Sequence, residues 1–490
     1  MDDEALGTLW RWVDPRLDRS GGAGVVVSAL LAGALSDLAV RSAFGLAGTI
    51  LVFGVVAAFR LAGRPASRQS RGLIAGSALF GAFFALRTSP WLVPLDILVV
   101  SGLLVLGASL ASSGSAFDLP VSGLLARAVH AVIHAVGAPA FALQGLPWVR
   151  ARPGREQPTS WMPVLRGLSL AVPLLVVLGV LLASSDVLFA HLFDFVPDVN
   201  ETVAHIVLIG LGAWGMAALL RVAAATPPAS VPQRVPLLGA VEATIVLASV
   251  TVLFAGFGVT QLVALAGGGR HVVETAGLTY AEYARAGFFQ LVAVAAIALA
   301  VVLTVDAFTA SPTGRARHRL VVLSEVVIGL TLVVVASALR RLDLYEHAYG
   351  LTMLRLYAGV LVGWIGVSLV LLGAWIVRTR DRAWFLAATV AAGLAAVLAL
   401  NIVNPEAVVV RRNVALARQT GRFDTSYLSW LSDDAIPEMV RTLSTLPEPL
   451  QAGVVAEICS RPPPATKGWA AWNAAHQAAD DARHQICPAG

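Results

Sequence analysis

The chain has 490 residues, of which 57% are hydrophobic and only 13% are Asp, Glu, Lys or Arg. Water-soluble globular chains carry about 25% charged residues, so this composition excludes an ordinary soluble protein. The mean hydropathy of +0.77 indicates membrane-spanning helices instead. The 35 basic and 30 acidic residues form no clustered basic stretch, which argues against a nucleic-acid partner.

Apolar stretches of membrane-spanning length recur along the chain. A helix needs roughly 20 apolar residues to cross a hydrocarbon core about 30 Å thick. Eleven stretches approach this length: 22–40, 42–59, 72–86, 91–111, 167–189, 202–220, 237–266, 286–308, 320–339, 356–377 and 383–403. The sequence therefore predicts an all-α fold, a polytopic membrane helix bundle of about 11 spans. The third stretch is short, so whether it crosses is left open.

The arginines predict the orientation. Alternate connections between the stretches hold 20 arginines, whereas the opposite connections hold 7. Because Lys and Arg accumulate on the cytoplasmic side, we expect a cytoplasmic N-terminus, and eleven spans then place the C-terminus outside the bacterial cytoplasmic (inner) membrane. A cytoplasmic tail would require an even number of spans, and the third stretch would be the one to remove.

These signals divide the chain into five regions. We expect a cytoplasmic or interfacial segment (1–21), about four membrane helices (22–112), a cytoplasmic linker (113–166), a membrane core of about seven spans (167–403) and an extracytoplasmic helical domain (404–490). The linker contains an amphipathic helix of the kind that lies in a membrane interface. His130 and His134 have a spacing that can bind a metal, but no acidic residue accompanies them. We interpret them as a polar helix face and predict no metal or other cofactor.

The tail after residue 403 is polar and has helical periodicity. It predicts short helices over 406–419, 425–431, 434–444, 449–459 and 467–485. Both cysteines of the chain, Cys459 and Cys487, lie here. Disulfides persist outside the cytosol, so an external tail favours one disulfide, which would contribute about 3 kcal/mol. The alternative is two free buried thiols.

All six tyrosines fall in segments on the predicted outer side. Three of these segments, 277–289, 339–357 and 401–413, are rich in polar groups. Charged groups at a membrane boundary cost free energy unless they are paired, so we predict a packed polar cluster at the outer face. Its candidate residues are Tyr280, Glu282, Tyr283, Arg285, Arg341, Tyr345, Glu346, Tyr349, Arg355 and Asn404. Two interpretations stay open: a structural lock that seats the tail, or a ligand site for an envelope component.

The sequence contains no motif of a known enzyme class, such as a Walker-type loop or HExxH. We favour a non-enzymatic envelope protein that binds a membrane lipid, a lipid-linked glycan or an envelope protein at its outer face, with the oligomeric state left open. One alternative is a proton- or ion-coupled transporter, which would place paired acids near the midplane; Asp96, Glu242 and Glu325 lie nearer the ends of their spans. The other is an outer-leaflet lipid-linked transferase, which would need acidic residues on a large outer loop.

Three segments carry a family resemblance. They read LTYAEYARAGFF at 278–289, ALRRLDLYEHAYGLTMLRLY at 338–357 and NPEAVVVRRN at 404–413. In these motifs the chain resembles actinobacterial multi-pass membrane proteins of unknown function, of the domain-of-unknown-function 4173/4153 type, over roughly residues 165–450. The resemblance implies an integral membrane protein without implying an activity. Its motif residues include the same Tyr, Glu, Arg and Asn residues that the topology places outside.

Overall fold

A computed structural model describes the chain over residues 22–61, 67–111, 115, 121–143, 197–225, 237–263, 288–309, 313–378, 384–421, 423–462 and 468–487, and at the single positions 171, 175, 178 and 182. In these ranges the regular secondary structure is helical, and an isolated bridge joins Leu238 to Thr309. The predicted all-α class is confirmed.

Sixteen α-helices are numbered here in chain order within the described ranges. They are α1 (Gly22–Arg41), α2 (Gly45–Leu61), α3 (Arg68–Ala82), α4 (Leu92–Ser109), α5 (Val121–Val136), α6 (Ala138–Leu143), α7 (Pro197–Ala224), α8 (Ala240–Val263), α9 (Phe288–Phe308), α10 (Gly314–Tyr349), α11 (Met353–Arg378), α12 (Trp384–Val403), α13 (Pro405–Thr420), α14 (Ile436–Thr442), α15 (Glu448–Ser460) and α16 (Ala474–Ile486). Short 3-10 helices lie at Phe83–Ala85, Ser426–Trp430, Asp433–Ala435, Leu443–Thr445 and Trp469–Ala471.

Eight of these helices are long and apolar enough to cross a membrane: α1, α4 and α7 to α12. They correspond to eight of the eleven predicted spans, so the protein is a multi-pass membrane protein. The second and third predicted spans correspond to α2 and α3, which have only 17 and 15 residues. The fifth, 167–189, lies outside the described residues apart from isolated positions.

The chain forms two compact units, which we describe separately. Unit 1 contains residues 1–116, 121–231 and 462–477, and unit 2 contains residues 117–120, 232–461 and 478–490. The tail after residue 403 therefore contributes to both units.

In unit 1, α1 and α7 are joined by two polar pairs. Asp37 Oδ2 lies 2.7 Å from Nδ1 of His205, and Arg41 lies 3.9 Å from Glu201. Position 37 pairs with 205 while 41 pairs with 201, so the two helices run antiparallel. A Cβ atom at Gly33 would overlap the backbone of α7, and the glycine thus permits the close approach of the two helices. The sequence reasoning did not identify this interhelical pair.

The two histidines of α5 pack together in the same unit. Their Nε2 atoms are 3.0 Å apart, and His134 is only 2% exposed. Burial lowers the pKa of His134 to about 4, and the charges of His130 and Arg221 act in the same direction. Arg221 also donates a hydrogen bond to the carbonyl oxygen of His134 at 3.0 Å. The histidine face is thus packed inside unit 1, and across the described residues no group of three or more metal-ligand side chains occurs.

The segment 468–473 packs on the helices of unit 1. The N–H of Leu46 donates to the carbonyl oxygen of Trp472 at 2.9 Å. The buried Asn473 amide donates to the carbonyl oxygens of Phe84 at 2.9 Å and Arg87 at 3.0 Å. Phe84 lies in the 3-10 extension of α3 and Arg87 follows it. The amide therefore donates to carbonyl oxygens at a helix end, where partners within the helix are missing.

Two hydrophobic cores lie among the described residues of unit 2. The first lies among α8 to α11 and the start of α12, and its fully buried side chains include Leu247, Leu369 and Leu372. The second is formed by the tail helices together with Leu351 and Met353, which flank the turn from α10 to α11. The tail core therefore packs directly on the end of the α10–α11 helix pair.

The tail helices begin and end close to the predicted positions, except for the last. Residues 468–473 form a 3-10 turn and an extended stretch before α16 begins at Ala474, seven residues later than predicted. Cys459 and Cys487 form a disulfide with Cα atoms 5.7 Å apart. It joins the end of α15 to the end of α16.

Candidate functional site

The site centres on the α10–α11 loop, residues 350–352. Gly350 ends α10 with a φ of 78°, in the left-handed region that favours glycine. The side chain of Arg355 folds back over this turn, and its Nη1 donates to the carbonyl oxygens of Gly350 and, at 3.4 Å, of Tyr349. A cation that bonds the last carbonyls of a helix stabilises its C-terminus. Arg355 thus holds the end of α10.

A pair of aromatic rings lies beside the guanidinium group of Arg355. Its Cζ lies 4.0 Å from the ring centroid of Tyr345, a cation–π geometry. Tyr345 packs edge to face on Tyr349, with centroids 5.1 Å apart. Arg355 also interacts electrostatically with Glu346, a carboxylate that Arg412 attracts as well. Tyr345, Glu346, Tyr349 and Arg355 therefore form one connected group.

Arg355 retains unused hydrogen-bond donors. A guanidinium carries five N–H donors, and among the described residues only those on Nη1 have acceptors. The Nε and Nη2 groups have none there. This arginine can therefore accept an anionic ligand while it continues to hold the end of α10.

A cavity of about 210 Å³ adjoins this group. It is lined by residues of α9, α10, α11 and the α10–α11 loop: Phe288, Phe289, Leu342, Tyr345, Thr352, Leu354, Arg355 and Ala358. Among these described residues Arg355 is the charged one, and the others are mainly apolar. Phe289 and Leu354 are 60% and 53% exposed, so part of the cavity wall faces the surroundings of the bundle.

The tail contacts the same loop through two polar side chains, and we call these bonds the tail contact. Asn413 accepts from the N–H of Leu351 at 2.7 Å and donates to its carbonyl oxygen at 2.8 Å. The hydroxyl oxygen of Tyr427 accepts from the N–H of Met353 at 2.8 Å. Burial raises the pKa of Tyr427, the nearby Glu406 raises it further, and the bond from Met353 and the charge of Arg355 oppose this. The tail contact therefore satisfies backbone groups of the helix turn.

Asn404 belongs to the tail rather than to the cavity. It caps α13 by accepting from the N–H of Ala407 at 3.2 Å, and its amide donates to the carbonyl oxygen of Asp434 at 2.8 Å. The buried Glu406 accepts from the N–H and the hydroxyl of Ser432 at 2.7 and 2.8 Å. These bonds are those of a helix start and a packed turn, which is a structural role.

Of the ten candidate residues, the structure brings four together: Tyr345, Glu346, Tyr349 and Arg355. Arg341 lies one helical turn before Tyr345 and is not among the residues that line the cavity. Tyr280, Glu282, Tyr283 and Arg285 lie outside the described residues. They precede the cavity residue Phe288 in the sequence.

Sequence reasoning missed two kinds of residue at this site. The first is the apolar lining, Phe288, Phe289, Leu342, Leu354 and Ala358, which resembles ordinary span sequence. The second is the tail-contact pair, Asn413 and Tyr427. Asn413 ends the third polar segment and Tyr427 is the sixth tyrosine, so the sequence carried a signal for both but did not indicate their partners.

The acidic residues considered for ion-coupled transport do not lie at this cavity. Asp96 in α4, Glu242 in α8 and Glu325 in α10 do not line the cavity. A Cβ atom at Gly373 of α11 would lie 3.0 Å from Oε2 of Glu325. The other carboxylate oxygen of Glu325, Oε1, is buried and has no hydrogen-bond partner in the described part of the chain.

Comparison with known proteins gives a family and no activity. The family model described as a domain of unknown function, DUF4153, matches residues 74–442, which is about three quarters of the chain. No curated protein and no solved structure matches the chain. The matched region includes the cavity and both side chains of the tail contact.

Proposed function

The chain belongs to the DUF4153 family, and we propose that it is a non-enzymatic component of a bacterial inner membrane that binds a lipid at its outer face. The observation that carries this proposal is the apolar cavity of about 210 Å³ with Arg355 in its wall. Ligand sites combine an apolar lining with a few polar groups that fix orientation. The cavity has this composition, and it lies where membrane helices end.

The exposed part of the cavity wall favours a lipid over a soluble ligand. Phe289 and Leu354 are large apolar side chains at the first turns of α9 and α11. On a membrane-spanning helix, exposed apolar side chains face lipid. A ligand that occupies the cavity and continues along these side chains must have an apolar segment, which a lipid has and a free glycan lacks.

The arginine distribution supports an outer location for the cavity. Three arginines lie at each end of α10: Arg315, Arg317 and Arg319 at its start, and Arg340, Arg341 and Arg355 at the cavity end. Over all connections between the predicted spans, the side of Arg315 holds 20 arginines and the cavity side holds 7. Because basic residues favour the cytoplasmic side, the cavity end of α10 is proposed to face outward, together with the tail. The N-terminal orientation, the total of eleven spans, the division into five regions and the actinobacterial origin belong to the same proposal.

The test is to fill the cavity. We expect purified full-length protein to retain a lipid that native mass spectrometry detects, and Ala358→Phe to reduce its occupancy at least about tenfold because the new ring takes the ligand's space. Leu361→Phe is the matched control, since Leu361 lies on the same helix and is exposed. Loss of lipid in both variants, or retention in both, would contradict a site in this cavity, as would absence of lipid from the wild type.

Ion-coupled transport is the second candidate, and Glu325 is the observation that favours it. An ionisable residue within a membrane-spanning helix indicates a functional site, and the buried Oε1 of Glu325 has no partner among the described residues. Proton uptake into proteoliposomes that contain the full chain would test this. Uptake that disappears in Glu325→Gln would support transport, and absence of uptake in the wild type would reject it.

The lipid-linked transferase is less well supported. Transfer chemistry needs a general base or a metal-binding carboxylate beside the acceptor. The described lining of the cavity contains no carboxylate. A lipid-binding role explains this composition without requiring catalysis.

A further inference from the structure

We propose that the ligand of this cavity is a membrane lipid with an anionic phosphate headgroup, which Arg355 holds while one chain segment occupies the cavity. This inference rests on the proposed function, since it names the class of lipid. The phosphate is that of a membrane lipid and not free phosphate from solution.

The chemistry of Arg355 identifies the headgroup. The planar guanidinium fork matches the oxygens of phosphate and can form two parallel hydrogen bonds with them. Nη1 is engaged by the end of α10, whereas Nε and Nη2 have no acceptor among the described residues. These two groups form one edge of the guanidinium, which is the edge that can donate to a phosphate in pairs.

The position of the guanidinium is fixed before a ligand arrives. The bonds to the α10 carbonyls hold one side, and the Tyr345 ring lies 4.0 Å from Cζ. A side chain that is already ordered loses less conformational entropy when it binds. Arg355 is therefore a prepared anion contact, unlike Arg340, which lies exposed on α10.

The size of the cavity indicates how much of the lipid enters. An engineered apolar cavity of about 150 Å³ holds one benzene molecule, and this cavity of about 210 Å³ is only moderately larger. It therefore takes a short chain segment and not a whole lipid. The remaining chain would run along the exposed Phe289 and Leu354, at the same ends of α9 and α11 as the guanidinium.

The charge around the site does not favour a neutral headgroup. Glu346 interacts with the carboxylate Asp343 as well as with Arg412, Arg355 and His347, and no carboxylate of the described residues forms a salt bridge with Arg355. A cation beside an apolar cavity at a membrane boundary costs free energy unless an anion pairs with it. A phosphate headgroup supplies that anion, and a diacylglycerol does not.

The experiment is competition between headgroups on the full-length protein. Detergent-solubilised protein is mixed with equal amounts of phosphatidylglycerol and diacylglycerol with the same chains, and native mass spectrometry measures the bound ratio. We expect the wild type to prefer phosphatidylglycerol at least about tenfold, since hydrogen bonds to charged groups are the stronger kind. Arg355→Gln should abolish this preference, Arg355→Lys should retain only part of it, and Arg340→Gln should leave it unchanged.

Other outcomes of this experiment distinguish failure of the headgroup inference from failure of the proposed function. If both lipids bind equally to the wild type and Ala358→Phe displaces both, the lipid site stands and the headgroup inference is overturned. If neither lipid binds, the proposed function fails as well. If inorganic phosphate at millimolar concentration displaces phosphatidylglycerol, the site takes free phosphate, and the inference is again overturned. The wild-type ratio decides the matter even if Arg355→Gln does not fold.

Discussion

The tail contact and the cavity meet at the same α10–α11 loop, but they differ in how their polar groups are used. At the tail contact, Asn413 and Tyr427 supply partners for the backbone of Leu351 and Met353. At the cavity, Arg355 keeps two nitrogen groups without acceptors among the described residues. Polar groups that are buried and satisfied stabilise a fold, whereas unused donors beside a cavity are available to a ligand.

This difference separates the two interpretations of the polar cluster. A structural lock and a ligand site are not alternatives here, because separate side chains on one loop can serve the two roles. The lock uses neutral groups from the tail, and the proposed ligand site uses a cation of α11 and apolar side chains of three helices. Changes in the tail should therefore affect stability without affecting lipid binding, and changes in the apolar wall of the cavity should affect lipid binding while the tail contact stays in place.

The largest expected effect on stability comes from the disulfide. Cys459 and Cys487 are separated by 28 positions, and closing a loop of this length stabilises a fold by about 3–4 kcal/mol. We expect the double variant Cys459→Ser and Cys487→Ser to lower the midpoint of thermal unfolding, and dithiothreitol to lower that of the wild type alone. Bound lipid measured in the folded state should be unchanged. If the folded double variant loses its bound lipid, the tail and the cavity are coupled.

The next effect comes from Asn413. Replacement by Ala leaves the N–H and the carbonyl of the buried Leu351 without this partner, and unsatisfied buried groups cost about 1–3 kcal/mol each. We expect a destabilisation of about 2–4 kcal/mol in chemical unfolding. Asn413→Asp, which keeps the acceptor and removes the donor, should lie between this variant and the wild type. Gln419→Ala, at an exposed position of α13, is the control and should have almost no effect.

A smaller effect is expected at Tyr427. Tyr427→Phe removes the hydroxyl that accepts from Met353 and should cost about 1 kcal/mol. Because burial raises the pKa of this tyrosine, the folded state holds its proton more tightly than the unfolded state. The contribution is complete below the unfolded pKa of about 10 and is lost as the pH rises through the higher folded value.

Measurement of stability against pH gives the control for this effect. The wild type should lose stability above pH 10 more steeply than Tyr427→Phe does. Tyr349→Phe is the control for removal of a tyrosine hydroxyl at an exposed position. Equal slopes for the wild type and Tyr427→Phe would show that the hydroxyl is not buried at the tail contact.

The membrane helices were predictable because burial in lipid imposes a length and a composition. Spans such as α9 and α12 consist of long apolar runs, and both lie within three residues of the predicted bounds. The third stretch, around α3, was left open for the same reason, and in the structure both α2 and α3, with 17 and 15 residues, fall short of the usual length. The tail helices except the last followed from their periodicity, whereas the capping role of Asn404 at the start of α13 was not predicted.

The cavity could not be predicted in the same way. Leu342 and Ala358 have the same chemical character as every other span residue, and only their packing leaves a space between them. The role of Arg355 depends on which carbonyls its side chain reaches, which the sequence does not specify. Asp37 and His205 form a pair across 168 positions, so neither residue alone indicates the other. Chemical type and periodicity can be read from a sequence, but partners that are distant along the chain cannot.

The most direct test is to identify what touches the cavity wall in the cell. A photo-crosslinking amino acid at position 289 replaces a cavity residue that is 60% exposed, and one at position 361 replaces an exposed residue of α11 that does not line the cavity. Mass spectrometry of the adducts should show phosphate-headgroup lipids enriched at 289 relative to 361, and Arg355→Gln should remove this enrichment. The same lipid mixture at both positions, or a protein adduct at 289, would contradict a specific anionic-lipid site beside Arg355.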